Sequence, residues 1–137
     1  MAGYVLDTSA VMAILVDEEG AAAVRDVIYG RDRVRLPFIV LMEVECKFLQ
    51  RKPEAAEESM SILEGWPVDI AESYYGWRRR AAQVKAEGQL SFADAWIASL
   101  ALLNDAQLVH KDPEFDAISD LKHLRLPYAP AKRRRRR

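Results

Sequence analysis

The sequence has few of the residues that build disulfides and zinc sites. Cysteine occurs once, at Cys46, and histidine twice, at His110 and His123, among 137 residues. A single cysteine cannot form a disulfide within the chain, and structural zinc sites take four Cys or His ligands. Cys46 stands among apolar residues, which predicts a buried, unreactive thiol, and we expect both histidines to be structural.

Long hydrophobic runs are also absent. No apolar stretch approaches the ~18 residues that span a bilayer, and the first residues lack the basic segment of a secretion signal. We therefore expect a cytoplasmic protein with no membrane partner. The chain is 50% hydrophobic and 30% charged, a composition typical of a globular domain.

Basic charge is concentrated at the C-terminal end. Lys132 and Arg133–Arg137 carry six of the 20 basic residues, which leaves 14 basic against 21 acidic residues in the remainder. We interpret residues 1–130 as a single domain and residues 131–137 as a disordered basic tail. A run of this kind is a solvated tail, a nucleic-acid contact or an artificial addition, and the sequence leaves these open.

Short apolar runs alternate with longer helical patterns along the chain. The predicted strands are 3–6, 34–36, 66–70, 106–109 and 123–126. The predicted helices are 8–17, 19–29, 37–51, 53–64, 71–87 and 91–104. This alternation predicts an α/β domain with a mostly parallel sheet covered by helices on both faces.

Three aspartates stand where such a fold would bring them together. Asp7 directly follows the first strand, Asp112 follows the fourth, and Asp94 lies in the first turn of the last predicted helix. Each also has a structural explanation, since Asp7 and Asp112 can cap the segments behind them and Asp94 forms a capping box with Ser91. However, the carboxyl ends of parallel strands border the crevice where α/β sheets bind ligands.

A fourth carboxylate, Glu43, belongs to a helix that is apolar almost all round through residue 44. That pattern predicts burial, and a buried carboxylate needs a partner. Lys47, four residues on, is one possible partner, and a cation shared with other acids is another. Glu45 is a rival candidate, but it points about 200° away around the helix axis.

Four carboxylates in one place predict a divalent cation. Like charges raise one another's pKa unless a cation lies between them. Oxygen ligands select Mg²⁺ or Mn²⁺ over zinc. Such an ion activates water and stabilises charge on a phosphoryl oxygen, so the acids predict metal-dependent hydrolysis of phosphodiester bonds.

Four stretches of the chain resemble the PIN domain and, within it, the VapC-type toxins of prokaryotic toxin–antitoxin pairs. They are YVLDTSAVMAIL, LPFIVLMEVE, LSFADAWIASLAL and AQLVHKDPEFD, spread from residue 4 to residue 116. The resemblance implies a three-layer α/β/α fold with a central, mostly parallel sheet. It also implies a Mg²⁺- or Mn²⁺-dependent endoribonuclease.

The resemblance also implies roles for individual residues. The catalytic and metal-binding acids would be Asp7, Glu43, Asp94 and Asp112, with Thr8, Ser9 and Asp116 as accessory groups. The chain departs from the family at His110, where a Thr or Ser is common, so a hydroxyl contribution from that position is in doubt.

RNA contacts are predicted on the helix over 71–87. The candidates for phosphate contacts are Arg78, Arg79, Arg80 and Lys85, which would otherwise form a solvated face. Trp77 or Trp96 would stack on unpaired bases, although core packing suits Trp96 better. The resemblance implies tRNA or rRNA as substrate, a VapB-like antitoxin as partner, and a homodimer.

Two other classes of function were weighed against the nuclease. A catalytically inactive PIN-like module that binds RNA or protein would have lost one or more acids, and all four are present. A phosphatase of the acid-site type needs a second Asp where Ser9 stands, and a receiver-like domain needs a mid-chain Asp that Asp69 fits poorly.

Overall fold

The computed structural model describes residues 2–128, which form one five-stranded sheet flanked by helices. The strands are β1 (Tyr4–Leu6), β2 (Val34–Pro37), β3 (Asp69–Ala71), β4 (Gln107–His110) and β5 (Lys122–Arg125). All neighbouring strands are parallel, in the order β3-β2-β1-β4-β5. The predicted α/β/α architecture is confirmed.

Helices fill the connections between the strands. They are α1 (Thr8–Leu15), α2 (Ala21–Ile28), α3 (Phe38–Arg51), α4 (Ala56–Glu64), α5 (Tyr75–Glu87) and α6 (Phe92–Asn104). Two 3₁₀ turns accompany them, at Pro53–Ala55 and Pro113–Ala117. None of the helices in residues 2–128 combines the length and the apolarity needed to cross a membrane.

The strand order places a crevice beside the first strand. The chain adds β2 and β3 on one side of β1, then returns to add β4 and β5 on the other. Leu6 is paired with Val109, so β1 and β4 end side by side. The backbone amide of Asp7 donates to the carbonyl of Val109 at 3.1 Å, which holds the two strand ends together. Ligands of open α/β sheets bind at this kind of switch point.

Helix α6 approaches the sheet closely because its inner face is small. Ala98 and Ala101 are fully buried, and the helix contacts β1, β2 and β4. Ile97 and Leu100 fill the space beside them. The close approach brings the first turn of α6, with Asp94, to the edge of the sheet.

Trp77 joins α5 to α6 inside the core. Its side chain is fully buried, and its Nε1 donates to the carbonyl of Trp96 at 2.8 Å and to Ser99 Oγ at 3.0 Å. Its ring lies edge-on to the rings of Trp96 and Phe38, with distances of 4.9 and 5.6 Å between the ring centroids. The interpretation of Trp77 as a base-stacking residue is therefore wrong, whereas Trp96 packs in the core as expected.

Helix α3 is buried along one stripe only, contrary to the prediction. Val40, Val44 and Phe48 face the core, while Met42 and Leu49 are more than half exposed. Cys46 is also exposed, so the prediction of a buried thiol is wrong. The physical reason is that a helix in an outer layer packs against the rest of the protein on one side only, so its apolar residues on the other sides face solvent.

Several predicted boundaries shift by a few residues. Strand β3 begins at Asp69 rather than 66 and runs to Ala71, which delays the start of α5 to Tyr75. Helix α2 begins only after Gly20, whose φ of +99° is left-handed. The 3₁₀ turn after Asp112 was not predicted. The predicted tail at 131–137 lies outside the described residues.

Candidate active site

One cavity of about 610 Å³ lies at the switch point of the sheet. Six of the side chains singled out in the sequence line it together: Asp7, Thr8, Ser9, Glu43, Asp94 and Asp112. They come from the ends of β1 and β4 and from the first halves of α1, α3 and α6. The fold thus brings residues up to 105 positions apart to a single crevice.

Asp7 both caps α1 and faces this cavity. Its Oδ2 accepts from the Ser9 amide at 3.2 Å and from Ser9 Oγ at 2.6 Å. Ser9 Oγ in turn accepts from the Lys111 amide at 2.9 Å, which ties the end of β4 to the start of α1. The capping interpretation and the site interpretation are therefore compatible, because the cap fixes the carboxylate at the crevice.

The other two aspartates are held by the same kind of local bond. Ser91 Oγ accepts from the Asp94 amide at 3.1 Å and caps α6. Asp112 Oδ1 accepts from the Glu114 amide at 2.9 Å and caps the 3₁₀ turn. Local hydrogen bonding thus orients the carboxylate of Asp112 directly, whereas for Asp94 it fixes the backbone of the first turn of α6 that carries the side chain.

Glu43 is held by a hydroxyl rather than by the predicted lysine. Thr8 Oγ1 donates to Glu43 Oε1 at 2.5 Å. No ion pair joins Glu43 to Lys47 in residues 2–128, although both side chains line the cavity. The rival Glu45 is exposed and lies outside this cavity.

Burial and mutual repulsion raise the pKa of two of the acids. Burial raises the pKa of Asp7 to about 6. The hydrogen bonds from Ser9 to Asp7 act to lower this pKa, and the charge of Glu43 adds to the rise. Burial raises the pKa of Asp94 to about 7, and the charges of Asp7, Asp112, Glu43 and Glu114 add to the rise. This oxygen-only set with excess negative charge fits a hard divalent cation.

Glu114 is a member of the acidic group that sequence reasoning missed. One of its oxygens lies within 4.8 Å of oxygens of Asp94 and Asp112. Its position two residues after Asp112 in a proline-led turn was the available signal, since a capping Asp folds the next residues back over itself.

Two basic residues at this cavity, Arg51 and Lys52, were also missed. Arg51 lines it together with Lys47 from the second half of α3, and Lys52 lines it from the residue that follows the helix. The spacing of four between Glu43, Lys47 and Arg51 was the available signal, because it places them on one face of a helix. They put positive charge beside the carboxylates.

The predicted RNA-contacting residues of α5 lie elsewhere. Arg78 and Arg79 are exposed, and their guanidinium groups stand 5.3 and 5.7 Å from the centre of the Tyr75 ring. Lys85 stands over the ring of Phe92 at 5.2 Å. Arg80 lines a second cavity. None of the four lines the cavity of the acids.

Asp116, predicted as an accessory acid, lies outside the acidic cavity and binds other partners. It accepts from Arg125 Nε at 2.7 Å and from Tyr128 Oη at 3.3 Å. The hydrogen bond and charge of Arg125 lower its pKa. Its side chain is thus committed to β5 and the segment after it rather than to the crevice.

His110 supports Asp112 through the backbone. Its Nδ1 accepts from the Asp112 amide at 3.1 Å, which assigns the proton to Nε2, and Nε2 donates to His123 Nδ1 at 2.9 Å. Burial, followed by the nearby His123, lowers its pKa to about 4, so the ring is neutral at physiological pH. The imidazole therefore has a structural role.

Comparison with known proteins assigns the chain to a family. The family model of the PIN domain matches residues 4–121. The chain belongs to the PIN domain family. No curated protein matches the chain in sequence.

Solved structures with the same fold include several toxin–antitoxin proteins. VapBC2 from Rickettsia felis, bound to a DNA fragment from its promoter, matches with a TM-score of 0.76 at 18% identity over 90% of this chain and 98% of that one. VapBC-1 from nontypeable Haemophilus influenzae matches with a TM-score of 0.70 at 22% identity, over 89% and 96%. VapC20 of Mycobacterium tuberculosis, described as a toxin that cleaves the sarcin-ricin loop, matches with a TM-score of 0.69 at 18% identity, over 85% and 95%. At these identities the likeness shows that this PIN domain has the fold of VapC-type toxins.

The raised pKa values predict how the metal-free PIN domain responds to pH. Asp7 and Asp94 have pKa values of about 6 and 7, against an ordinary value of 3.8, so the folded state holds protons that the unfolded state releases. Their stabilising contribution is full below pH 3.8 and is lost as the pH rises through 6 and 7. We expect the melting temperature in EDTA to fall across this range relative to an Asp94→Asn variant, in thermal unfolding followed by circular dichroism.

Mn²⁺ at pH 7.5 should remove most of the difference in melting temperature between the wild type and Asp94→Asn, because it stabilises the wild-type protein more than the variant. An Asp26→Asn variant, changed at an exposed position of α2 that forms no ion pair within residues 2–128, should follow the wild-type curve. Parallel pH curves for the wild type and Asp94→Asn would contradict the assignment of the raised pKa.

Proposed function

We propose that the protein is a Mg²⁺- or Mn²⁺-dependent endoribonuclease that hydrolyses RNA phosphodiester bonds. The observation that carries this proposal is the cavity at the switch point, where Asp7, Glu43, Asp94 and Asp112 meet and two of them have raised pKa values. The cluster offers carboxylate oxygens and no nucleophilic thiol, which suits metal-assisted attack by water.

Asp7, Glu43, Asp94 and Asp112 would hold one or two divalent ions, with Glu114 beside them. A bound ion supplies activation of water and stabilisation of charge on the scissile phosphate. Thr8 and Ser9 keep the carboxylates of Glu43 and Asp7 in place through their hydroxyl groups. Asp94 or Asp112 would orient the attacking water.

RNA would approach across the basic side of the cavity. Lys47 is half-buried, while Arg51 and Lys52 are exposed, and all three line the same cavity as the acids. Such groups neutralise phosphates and position the backbone without selecting a base. Arg78, Arg79 and Lys85 would serve only a longer substrate that extends along α5.

We also propose that this nuclease is the toxin of a VapBC-type pair in the cytoplasm. The likeness to the VapBC proteins of Rickettsia felis and Haemophilus influenzae supports this role. A VapB-like antitoxin that places an Arg among the acids would compete with the metal for the carboxylates. A homodimer would cover exposed apolar side chains such as Met42 and Leu49 of α3 and Ile62 of α4.

The test of the enzymatic proposal is metal removal. Purified protein is incubated with structured tRNA and rRNA in Mn²⁺ or Mg²⁺, with and without excess EDTA, and the products are mapped by sequencing their ends. We expect site-specific cleavage that EDTA lowers by at least about 100-fold, since the ion stabilises the charge of the transition state.

Adding Mn²⁺ in excess over the chelator should restore the cleavage, and Ca²⁺ serves as a control for non-catalytic folding effects. Cleavage that persists undiminished in EDTA would overturn the metal-dependent mechanism. Binding of RNA without cleavage under every metal condition would favour the inactive PIN-like module.

A further inference from the structure

A second cavity of about 470 Å³ lies beside the acidic one and is not explained by the metal centre. It is enclosed by the C-terminal half of α5, the connection to α6 and the 3₁₀ turn Pro113–Ala117. Its walls include the apolar side chains Val84, Leu90, Leu102 and Ile118. Apolar walls of this kind suit a flat ring that is buried on both faces.

The two cavities meet at one side chain. Glu114 lines the second cavity, and one of its oxygens lies within 4.8 Å of oxygens of Asp94 and Asp112 in the first. Pro113 lines the second cavity directly after Asp112 lines the first. A group bound in the second cavity therefore sits next to a phosphate held among the acids.

Arg80 reaches this cavity with an uncompensated charge. Its Nε is buried and has no hydrogen-bond partner within residues 2–128, and no carboxylate in that range lies within 4.0 Å of its guanidinium. By contrast, Arg33 and Arg125 are paired with Asp69 and Asp116 at 2.6 and 2.7 Å. Arg80 as a whole is half-buried and lines the cavity, so an occupant with acceptor atoms would pair the part of its guanidinium that faces the cavity.

The polar groups of the cavity are of two opposite kinds. Arg80, Gln83 and Gln89 offer N–H donors, while Glu87, Glu114 and Asp120 offer carboxylate acceptors. An occupant that matches this set must present acceptors on one edge and donors on another. An apolar side chain from a partner protein satisfies neither group.

We propose that this cavity binds a guanine base of the RNA, next to the phosphate that is cleaved. Guanine presents the acceptors O6 and N7, which match an arginine fork. Its N1–H and N2–H₂ donors point to one side, where a carboxylate can accept from both. Adenine, cytosine and uracil lack this pair of adjacent donors, so the arrangement of Arg80 and the carboxylates selects guanine.

This inference rests on the proposed function because it takes RNA as the substrate, but its test does not require catalysis. Proteins recognise unpaired RNA bases through the faces and edges that are freed from the stack, and a buried guanine would be recognised in this way. Arg80 then has a role in specificity, distinct from the general phosphate contacts that were predicted for α5. The other three candidates on that helix, Arg78, Arg79 and Lys85, line neither cavity.

Binding of single nucleotides tests the cavity without any cleavage. Guanosine, adenosine, cytidine and uridine 5′-monophosphates are titrated into the full chain in EDTA, and binding is followed by saturation-transfer NMR. We expect guanosine monophosphate to bind at least about tenfold more tightly than the other three. Inosine monophosphate, which lacks the N2 amino group, should bind more weakly than guanosine monophosphate.

Two matched variants locate the effect. Arg80→Met keeps the apolar stem and should lower the affinity for guanosine monophosphate about tenfold. Arg25→Met, at an exposed position of α2 that lines neither cavity, should leave it within twofold. Thermal melting confirms that each variant is folded. A preference for guanine that survives in Arg80→Met, or equal binding of all four nucleotides, would overturn the proposal.

Sequencing of cleavage ends separates this proposal from the nuclease proposal. The wild-type enzyme should show guanine at one fixed position beside the cut, and Arg80→Met should cut with that enrichment lost. Cleavage with no base preference in the wild type would overturn the guanine cavity and leave the nuclease intact. Selective binding of guanosine monophosphate without cleavage would overturn the nuclease and retain the cavity.

Discussion

RNA cleavage by an Asp94→Asn variant is expected to fall by about 10³-fold or more, because the proposed catalytic ion would lose a charged ligand. Asparagine has nearly the shape of aspartate, and the bond from the residue 94 amide to Ser91 Oγ does not depend on the side chain. The substitution therefore removes a negative charge from the centre of the acidic group without disturbing the cap of α6. Initial rates on a single RNA substrate in Mn²⁺ measure the effect.

The same variant should be at least as stable as the wild type in the absence of metal. Repulsion from Asp7, Asp112, Glu43 and Glu114 contributes to the raised pKa of Asp94, and the neutral amide relieves it. The gain in melting temperature that Mn²⁺ gives the wild type should be lost. Asp26→Asn, at an exposed position of α2 without an ion pair in residues 2–128, controls for the substitution itself. Cleavage by Asp94→Asn at the wild-type rate would refute the site.

A Trp77→Ala variant is expected to lose about 3–5 kcal/mol of the free energy of unfolding, the usual cost of emptying a large aromatic site. The ring is fully buried between Trp96 and Phe38, and its Nε1 holds the carbonyl of Trp96 and the hydroxyl of Ser99. Removal leaves a cavity and takes away the indole donor, although Ser99 Oγ still donates to the carbonyl of Trp96 at 2.9 Å. Such a loss is a large part of the 5–15 kcal/mol that holds a typical domain together.

Equilibrium unfolding in urea measures this loss, and two variants define its origin. Tyr75→Ala removes an exposed aromatic ring from the same helix and should cost less than about 1 kcal/mol. Trp77→Phe keeps an aromatic ring in the core. Its loss of free energy of unfolding should lie between those of Trp77→Ala and Tyr75→Ala, and it should retain RNA binding. The base-stacking interpretation would be restored if Trp77→Ala unfolded at the same urea concentration as the wild type. Loss of RNA binding in a fully folded Trp77→Phe would have the same meaning.

The features that sequence reasoning located were those with a local cause. Asp7, Asp94 and Asp112 each lie within three residues of a signal, namely the end of an apolar strand, a capping serine or a first-turn proline. Because parallel strands end at one edge, these local signals also indicate that the side chains share a crevice. The alternation of strands and helices was sufficient for the α/β architecture for the same reason.

The misplaced features depend on which surfaces the rest of the chain covers. An apolar run does not reveal how many sides of α3 have neighbours, and so Cys46 was expected inside although it faces solvent. Trp77 and Arg79 lie two residues apart on α5, yet one is in the core and the other in solvent. Sequence alone makes both candidates for contact with RNA, Trp77 by stacking on bases and Arg79 by pairing with phosphates.

The amino-acid sequence by itself determined the parallel α/β fold and the positions of Asp7, Asp94 and Asp112, because strand ends and helix caps are set by near neighbours along the chain. Only the tertiary structure decided what surrounds them. It brought Glu43 and Asp94 to the ends of β1 and β4, turned Asp116 towards Arg125, and placed Arg80 at a second cavity. Those contacts join segments distant in sequence, and their geometry follows from how the helices pack on the sheet rather than from any local pattern.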